Sequence, residues 1–179
     1  RSIPAPSLRR CRRQANITQG KKAEMQLKTI LNRVQKFKSF VYTGVRWAGG
    51  GDALEVEVAE RANGRARCSG CGGPGPGYDR LAARRFEFVP LWGIPVFLVY
   101  APRRVECPRC GVRVEAMPWA SGKSHLTQAY AWFLARWARR LSWKEVAQVF
   151  RTSWDSVFRA VEMAVEWGRA HQDLGGVQA

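Results

Sequence analysis

Cys68-Ser-Gly-Cys71 and, after thirty-five intervening residues, Cys107-Pro-Arg-Cys110 set the terms for the whole chain. A C-x-x-C pair lets two thiolates reach one cation from a tight turn, and two such pairs complete a tetrahedral shell of four sulfurs. Gly70, Gly72 and Gly73 split or follow the first pair and Gly111 follows the second, which suits turns that wrap a metal and aim backbone N–H groups at sulfur. Between the pairs lie two strand-like runs, Arg84 to Pro90 and Ile94 to Tyr100, joined by Leu91-Trp92-Gly93. The pattern predicts a zinc ribbon in the order turn, hairpin, turn. Zinc is the expected ion, and iron in a rubredoxin-like S₄ site is the alternative. Two disulfides are the metal-free alternative. A C-x-x-C disulfide is a redox motif that belongs at a helix start in a βαβ context, which this segment lacks.

The chain has 179 residues, 46% of them hydrophobic and eight of them Trp, so it can bury a core across one or two small domains. No apolar run approaches the roughly 20 residues of a membrane-spanning helix, and no apolar segment follows the basic N-terminus as in a signal peptide. Four of the five cysteines stand in metal spacing, which points to a reducing, cytoplasmic setting and leaves Cys11 over. The formal net charge is +16. Residues 1–48 hold twelve Lys/Arg against one Glu, whereas residues 49–110 hold nine against seven acids and residues 111–179 nine against six. That balance favours a polyanionic partner, most often nucleic acid, over a merely solvated basic surface.

Residues 1–24 (Arg9-Arg10-Cys11-Arg12-Arg13, Lys21-Lys22, few apolar residues) read as a basic flexible arm or a non-native leader upstream of Met25. Residues 25–118 form the next unit. It begins with a short helix from Met25 to Val34 and continues with an extended run from Phe37 to Trp47. Leu54, Val56 and Val58 then alternate with Glu55 and Glu57 in a half-buried strand, and Asn63-Gly64 marks a turn into the first cysteine pair. A hairpin extending the sheet of the ribbon is the simplest account. Pro118-Trp-Ala-Ser-Gly122 reads as a boundary.

After that boundary the period changes from two to 3.6. Leu126, Tyr130, Phe133, Leu134, Trp137 and Leu141 share one helical face. Ser142-Trp-Lys-Glu145 has the form of a capping box, Arg151-Thr152 form a turn, and Ser153 can cap a helix running to about Arg169. Short helix, turn and longer helix give the helix-turn-helix layout over residues 123–170, before a flexible tail at 171–179. In such units residues near the start of the second helix touch base edges, here Trp154, Asp155, Ser156 and Arg159. Arg159 could pair bidentately with guanine. Trp154 also fits as a core residue of the turn, and the whole segment fits a plain three-helix bundle.

Cys68-x-x-Cys71, the hairpin and Arg103-Arg104-x-x-Cys107-x-x-Cys110 together resemble the zinc-finger segment of the ISL-three family of insertion-sequence transposases. Leu141-Ser-Trp-Lys-Glu-Val-Ala147 through Ser153-Trp-Asp-Ser-Val-Phe-Arg159 is similar to that family's helix-turn-helix, so the resemblance covers about residues 37–170. It implies a structural Zn²⁺ held by Cys68, Cys71, Cys107 and Cys110. It also implies recognition of double-stranded terminal-repeat DNA in the cytoplasm, at the nucleoid. Family members continue into a ribonuclease-H-like domain with an Asp-Asp-Glu triad that holds two divalent ions. The chain ends at Ala179 with only four Asp, at positions 52, 79, 155 and 173. The expectation is therefore an α+β chain, a small antiparallel β zinc-ribbon domain followed by an all-α domain, that binds DNA without cutting it. It would be either a fragment of a transposase or a truncated reading frame.

Arg84-Arg85, Arg103-Arg104 and Lys123 are the expected phosphate contacts, against the plainer reading of solvated charge runs. No membrane and no small-molecule substrate is expected. One rival is a metal-dependent nuclease using the four cysteines, or His125 and His171. The other is a zinc-ribbon transcription regulator or protein-interaction module, with Val157, Val161, Met163 and Val165 as a surface for a homodimer.

Overall fold

A computed structural model describes residues 26–171. The expectations for residues 1–24, and for the tail from residue 172 on, lie outside those residues. The chain opens with α1 (Leu27–Val34), continues through seven strands, β1 (Phe40–Trp47), β2 (Leu54–Glu60), β3 (Gly77–Arg80), β4 (Arg84–Leu91), β5 (Ile94–Tyr100), β6 (Arg103–Cys107) and β7 (Gly111–Val114), and closes with α2 (Gln128–Trp137), α3 (Trp143–Val149) and α4 (Trp154–Ala170). This is a mixed α+β chain with its sheets first and its helices last.

The strands form two sheets, one of four strands in the order β1-β2-β5-β4 and one of three in the order β3-β6-β7. This corrects the expected ribbon. The β4–β5 hairpin between the cysteine pairs belongs to the larger sheet, away from the cysteines, and the second pair sits instead on the β6–β7 hairpin, where Cys107 pairs with Gly111. The sheet is also not wholly antiparallel, because β2 and β5 run parallel, with Val56 opposite Leu98. The physical reason lies in β5. Val96, Leu98 and Tyr100 are all buried, so this strand belongs in the interior of a sheet, and a hairpin with β4 covers only one of its edges.

Period-two alternation puts Phe40, Tyr42, Val56, Val58, Phe86, Phe88 and Leu98 on one face, closed over by Phe37, Met117 and Trp119. Trp119, 2% exposed, lies against the rings of Phe37, Phe40, Phe86 and Tyr100. The segment read as a boundary is therefore part of the core, and truncating its Trp to Ala would cost about 3–5 kcal/mol. On the opposite face, Glu55 and Glu57 of β2 pair with Arg46, and Glu55 also pairs with Arg85.

The helices carry a second cluster built on Leu126, Tyr130, Leu134, Val146, Val157 and Ala160. Glu87 carries much of their attachment to the sheet. The Glu87 amide donates to the carbonyl of His125 (2.7 Å), and the Glu87 carbonyl accepts from the amide (3.0 Å) and the hydroxyl (2.7 Å) of Thr127. The Glu87 carboxylate accepts from the hydroxyl of Thr152 at 2.6 Å. Thr127 in turn caps α2 by accepting the amide of Tyr130. The anticipated caps are present downstream: Ser142 and Glu145 make the reciprocal capping box on α3, and Ser153 accepts the Ser156 amide at the head of α4.

Candidate metal centre and nucleic-acid interface

The four thiols converge. One sulfur from each of Cys68, Cys71, Cys107 and Cys110 lies within 4.8 Å of the other three, and Cys71 Sγ and Cys107 Sγ stand 3.5 Å apart. All four are free cysteines. A tetrahedral ion with bonds of about 2.3 Å would set its sulfurs roughly 3.8 Å from one another, so the group fits a metal ion with little rearrangement.

The turns supply the rest of the shell. Gly72 and Gly111, directly after the two cysteine pairs, have φ of +69° and +70°, a conformation side chains with a Cβ resist. The amide of Gly70 points at Cys68 Sγ at 3.3 Å. Amide donors from Arg109 and Cys110 bring the Cys107 thiol down to about 7. The neighbouring Cys71 thiol, with burial second, pushes Cys110 up to about 12. One thiolate forms readily here, and accumulating four without a cation is opposed by their mutual repulsion. A bound dication would lift that repulsion. The donor set thus fits Zn²⁺ or a comparable thiophilic ion, held by these four residues as a cross-link between the two turns. Among the described residues this is the single cluster of His, Cys or acidic groups arranged to hold a metal. His125 Nδ1 lies against the carbonyl of Arg85, and His171 is stacked on Trp167, so the two histidines do not form a site together.

The arginine pairs have separate surroundings. Arg84 donates to the carbonyls of Lys123 (3.0 Å) and Ser124 (3.3 Å), placing it beside exposed Lys123. Arg85 pairs with Glu55 at 3.2 Å and lies 4.2 Å from the ring centre of Phe97. Arg104 pairs with Asp79 through Nε at 2.6 Å and covers Tyr78, and the hydrogen bond holds the Asp79 carboxyl below its usual range. Arg103 grips Glu115, a carboxylate 2% exposed, with Nε at 3.0 Å, Nη2 at 2.7 Å and its own amide at 2.8 Å, while Tyr100 donates its hydroxyl to the same group. A guanidinium so placed holds the start of β6 to the residue that follows β7.

The α3–α4 segment has a seven-residue helix, a turn with Arg151 at φ +53°, and a seventeen-residue helix. Of the four residues singled out near the head of α4, Trp154, Asp155 and Arg159 are exposed and Ser156 is partly covered. Arg159 pairs with Asp155 one turn back at 2.9 Å. Trp154, 54% exposed, stacks on Phe158 and meets Trp143 of α3, each at 5.6 Å between ring centres.

Sequence reasoning passed over the end of α2. Among the described residues, Arg136, Arg139 and Arg140 have no carboxylate partner. They border a groove of about 940 Å³ between α2 and β4, walled by Val89, Phe133 and Trp137. The signal available was the run Arg136-Trp-Ala-Arg-Arg140, three cations in five residues at a helix end without an acid nearby. Glu87 was also missed, because its role depends on partners thirty-eight to sixty-nine positions away.

The chain is 34% identical over 111 residues to the transposase for insertion sequence element IS1557 of Mycobacterium tuberculosis, in strains CDC 1551 / Oshkosh and ATCC 25618 / H37Rv. The match takes in 62% of this chain and spans about a quarter, 25%, of those relatives' length. No family profile and no solved structure matches the chain. The chain thus contains a transposase-related region. Among the described residues, no helix is long and apolar enough to cross a membrane.

Proposed function

We propose that the chain is the DNA-binding portion of an insertion-sequence transposase of the ISL-three kind, working on the double-stranded terminal repeats of its element in the cytoplasm, at the nucleoid. The observation that carries this reading is the head of α4. It is fixed by the Ser153 cap and the Thr152–Glu87 bond, and it presents Trp154, Asp155 and Arg159 outward. The reading takes α3 and α4 as a helix-turn-helix with α4 in the major groove, where Arg159 and Ser156 would meet base edges. Arg84, Arg85, Arg104 and Lys123, with Arg136, Arg139 and Arg140, would meet phosphates and fix the register. The similarity to a transposase supports the same reading.

Zn²⁺ would be structural. Four thiolates fill a tetrahedral shell and leave no position for water, so the ion supplies folding energy to the β3-β6-β7 sheet and no chemistry. The domains would divide at residues 25–118 and 123–170, joined in part through the bonds of Glu87. The chain would bind DNA and not cut it. Incubated with Mg²⁺ and a duplex from the ends of its element, the purified protein shifts the duplex and leaves it intact. Nicked product would overturn the non-catalytic reading, and the absence of a shift would overturn the DNA reading.

One observation favours a second reading, a regulator or interaction module that forms a homodimer through α4. Val165 and Trp167 are exposed beside a groove of about 630 Å³ floored by Ala135, Ala138 and Ala164. Sedimentation at rising concentration tests it: a mass that stays monomeric rules the homodimer out.

A further inference from the structure

Trp92 occupies a position that backbone sterics penalise. It forms the two-residue tip of the β4–β5 hairpin with Gly93, and Leu91 and Ile94 pair across the tip. Both tip residues have positive φ, +51° at Trp92 and +78° at Gly93. A turn with two positive φ values matches the right-handed twist of the strands and calls for Asn-Gly or Gly-Gly. For a bulky residue the same conformation is an outlier. Folding gains nothing in exchange, since Trp92 is 89% exposed, more than any other large apolar residue described. A strained residue that the fold does not use is a reason to look for a function.

The surroundings indicate which function. The hairpin tip reads Val89-Pro-Leu-Trp-Gly-Ile-Pro-Val96, with a proline on each side and no charge. It is a stiff apolar finger. Its base is cationic: Val89, three residues before Trp92, lines the same groove as Arg136, Arg139 and Arg140. At about 3.3 Å per residue, the hairpin tip lies within roughly 10 Å of Val89 along the strand. No acid lines the groove. A polyanion seated on the three arginines would run past the finger, and a flat indole on an apolar wedge suits insertion between stacked bases.

We propose that Trp92 is a wedge that enters the base stack of bound duplex DNA from the minor groove and kinks it. This rests on the DNA-binding reading and adds a deformation step to it. Proteins that drive apolar side chains between base steps kink the duplex by about 20–90°. Sequences with flexible pyrimidine–purine steps at the insertion point would then bind better without any contact to their base edges.

The test uses the full chain and a mixed-sequence duplex of roughly three helical turns, about 30 base pairs, labelled at both ends for energy transfer. The variant is Trp92→Asn, which restores the preferred Asn-Gly turn. Wild type raises the transfer on binding. The variant binds within about tenfold of the wild-type affinity, because the unstacking cost vanishes together with the stacking it made possible, and gives no rise in transfer. Its unfolding midpoint climbs by about 2–4 °C as the strain is released, which shows that the lost kink does not come from a damaged fold. An equal rise in transfer with the variant overturns the wedge, as does wild-type binding without any rise, and both leave the DNA reading standing. Failure of the wild type to bind any duplex overturns both. If the finger is instead a lipid anchor, wild type binds vesicles of phosphatidylglycerol and the variant does not, with duplex bending the same for both; that result also overturns the proposal.

Discussion

Replacing Arg103 with Ala separates a folding role from a DNA-contacting one at a residue whose sequence context suggested phosphate. Its partner Glu115 is 2% exposed and accepts two bonds from the guanidinium. The variant retains the Tyr100 hydroxyl and the residue 103 amide as donors to Glu115, and leaves a buried carboxylate without its counter-charge. Breaking one side of a buried pair costs about 3–5 kcal/mol. For a chain of this size each kcal/mol moves the midpoint by about 2–4 °C, so thermal unfolding should fall by roughly 6–20 °C. Glu115→Gln on top of Arg103→Ala removes the stranded charge while keeping an acceptor for Tyr100, and recovers a large part of the loss. The assay is a double-mutant cycle on unfolding midpoints, with duplex binding measured well below the lowest one. The reasoning fails if Arg103→Ala unfolds within about 2 °C of wild type, or if Glu115→Gln gives no rescue, while DNA affinity drops.

Cys107→Ser should abolish stoichiometric metal binding and loosen the β3-β6-β7 sheet while residues 128–170 keep their helical circular dichroism; bound metal at full stoichiometry would contradict the four-sulfur centre. Thr127→Val removes the cap on α2 and the hydroxyl's bond to the Glu87 carbonyl while keeping the amide's, and should cost about 1–3 kcal/mol, with helices and sheet then unfolding in separable steps by calorimetry. Replacing Arg136, Arg139 and Arg140 together with Ala should weaken duplex binding evenly across sequences and lower the salt slope by about 0.9 for each phosphate left unneutralised. Arg159→Ala should instead erase the preference for element-end DNA over random DNA with little general loss, and equal losses on both would make its partner a phosphate rather than a base.

Local features of this chain were legible in the sequence and distant pairings were not. The two C-x-x-C pairs mark four thiols that the fold brings to one place. The capping box at Ser142 and the cap at Ser153 form as the residues dictate, because each cap depends on neighbours within four positions. The β4–β5 hairpin is legible as a hairpin, yet its spacing assigns it to the wrong sheet. Alternation tells which face of a strand is buried without telling what lies beside it. Trp119 looked like punctuation between domains because Pro118 and Gly122 flank it, although its indole completes an aromatic cluster drawn from three strands and the α1–β1 connection. The paired arginines illustrate the same limit. Arg84-Arg85 and Arg103-Arg104 look alike in sequence, yet the fold gives Arg84 two loop carbonyls, Arg85 the partly buried Glu55, Arg104 the exposed Asp79 and Arg103 a buried carboxylate.

The central claim is that this chain's cationic surface and α4 hold duplex DNA. The most direct measurement is equilibrium binding to element-end duplex across a salt series with zinc kept constant. Log affinity should fall linearly with log salt, with a slope near −0.9 per phosphate neutralised, so that about five such phosphates give roughly −4 to −5. Affinity that is flat with salt, or no binding at the lowest salt, would contradict the account.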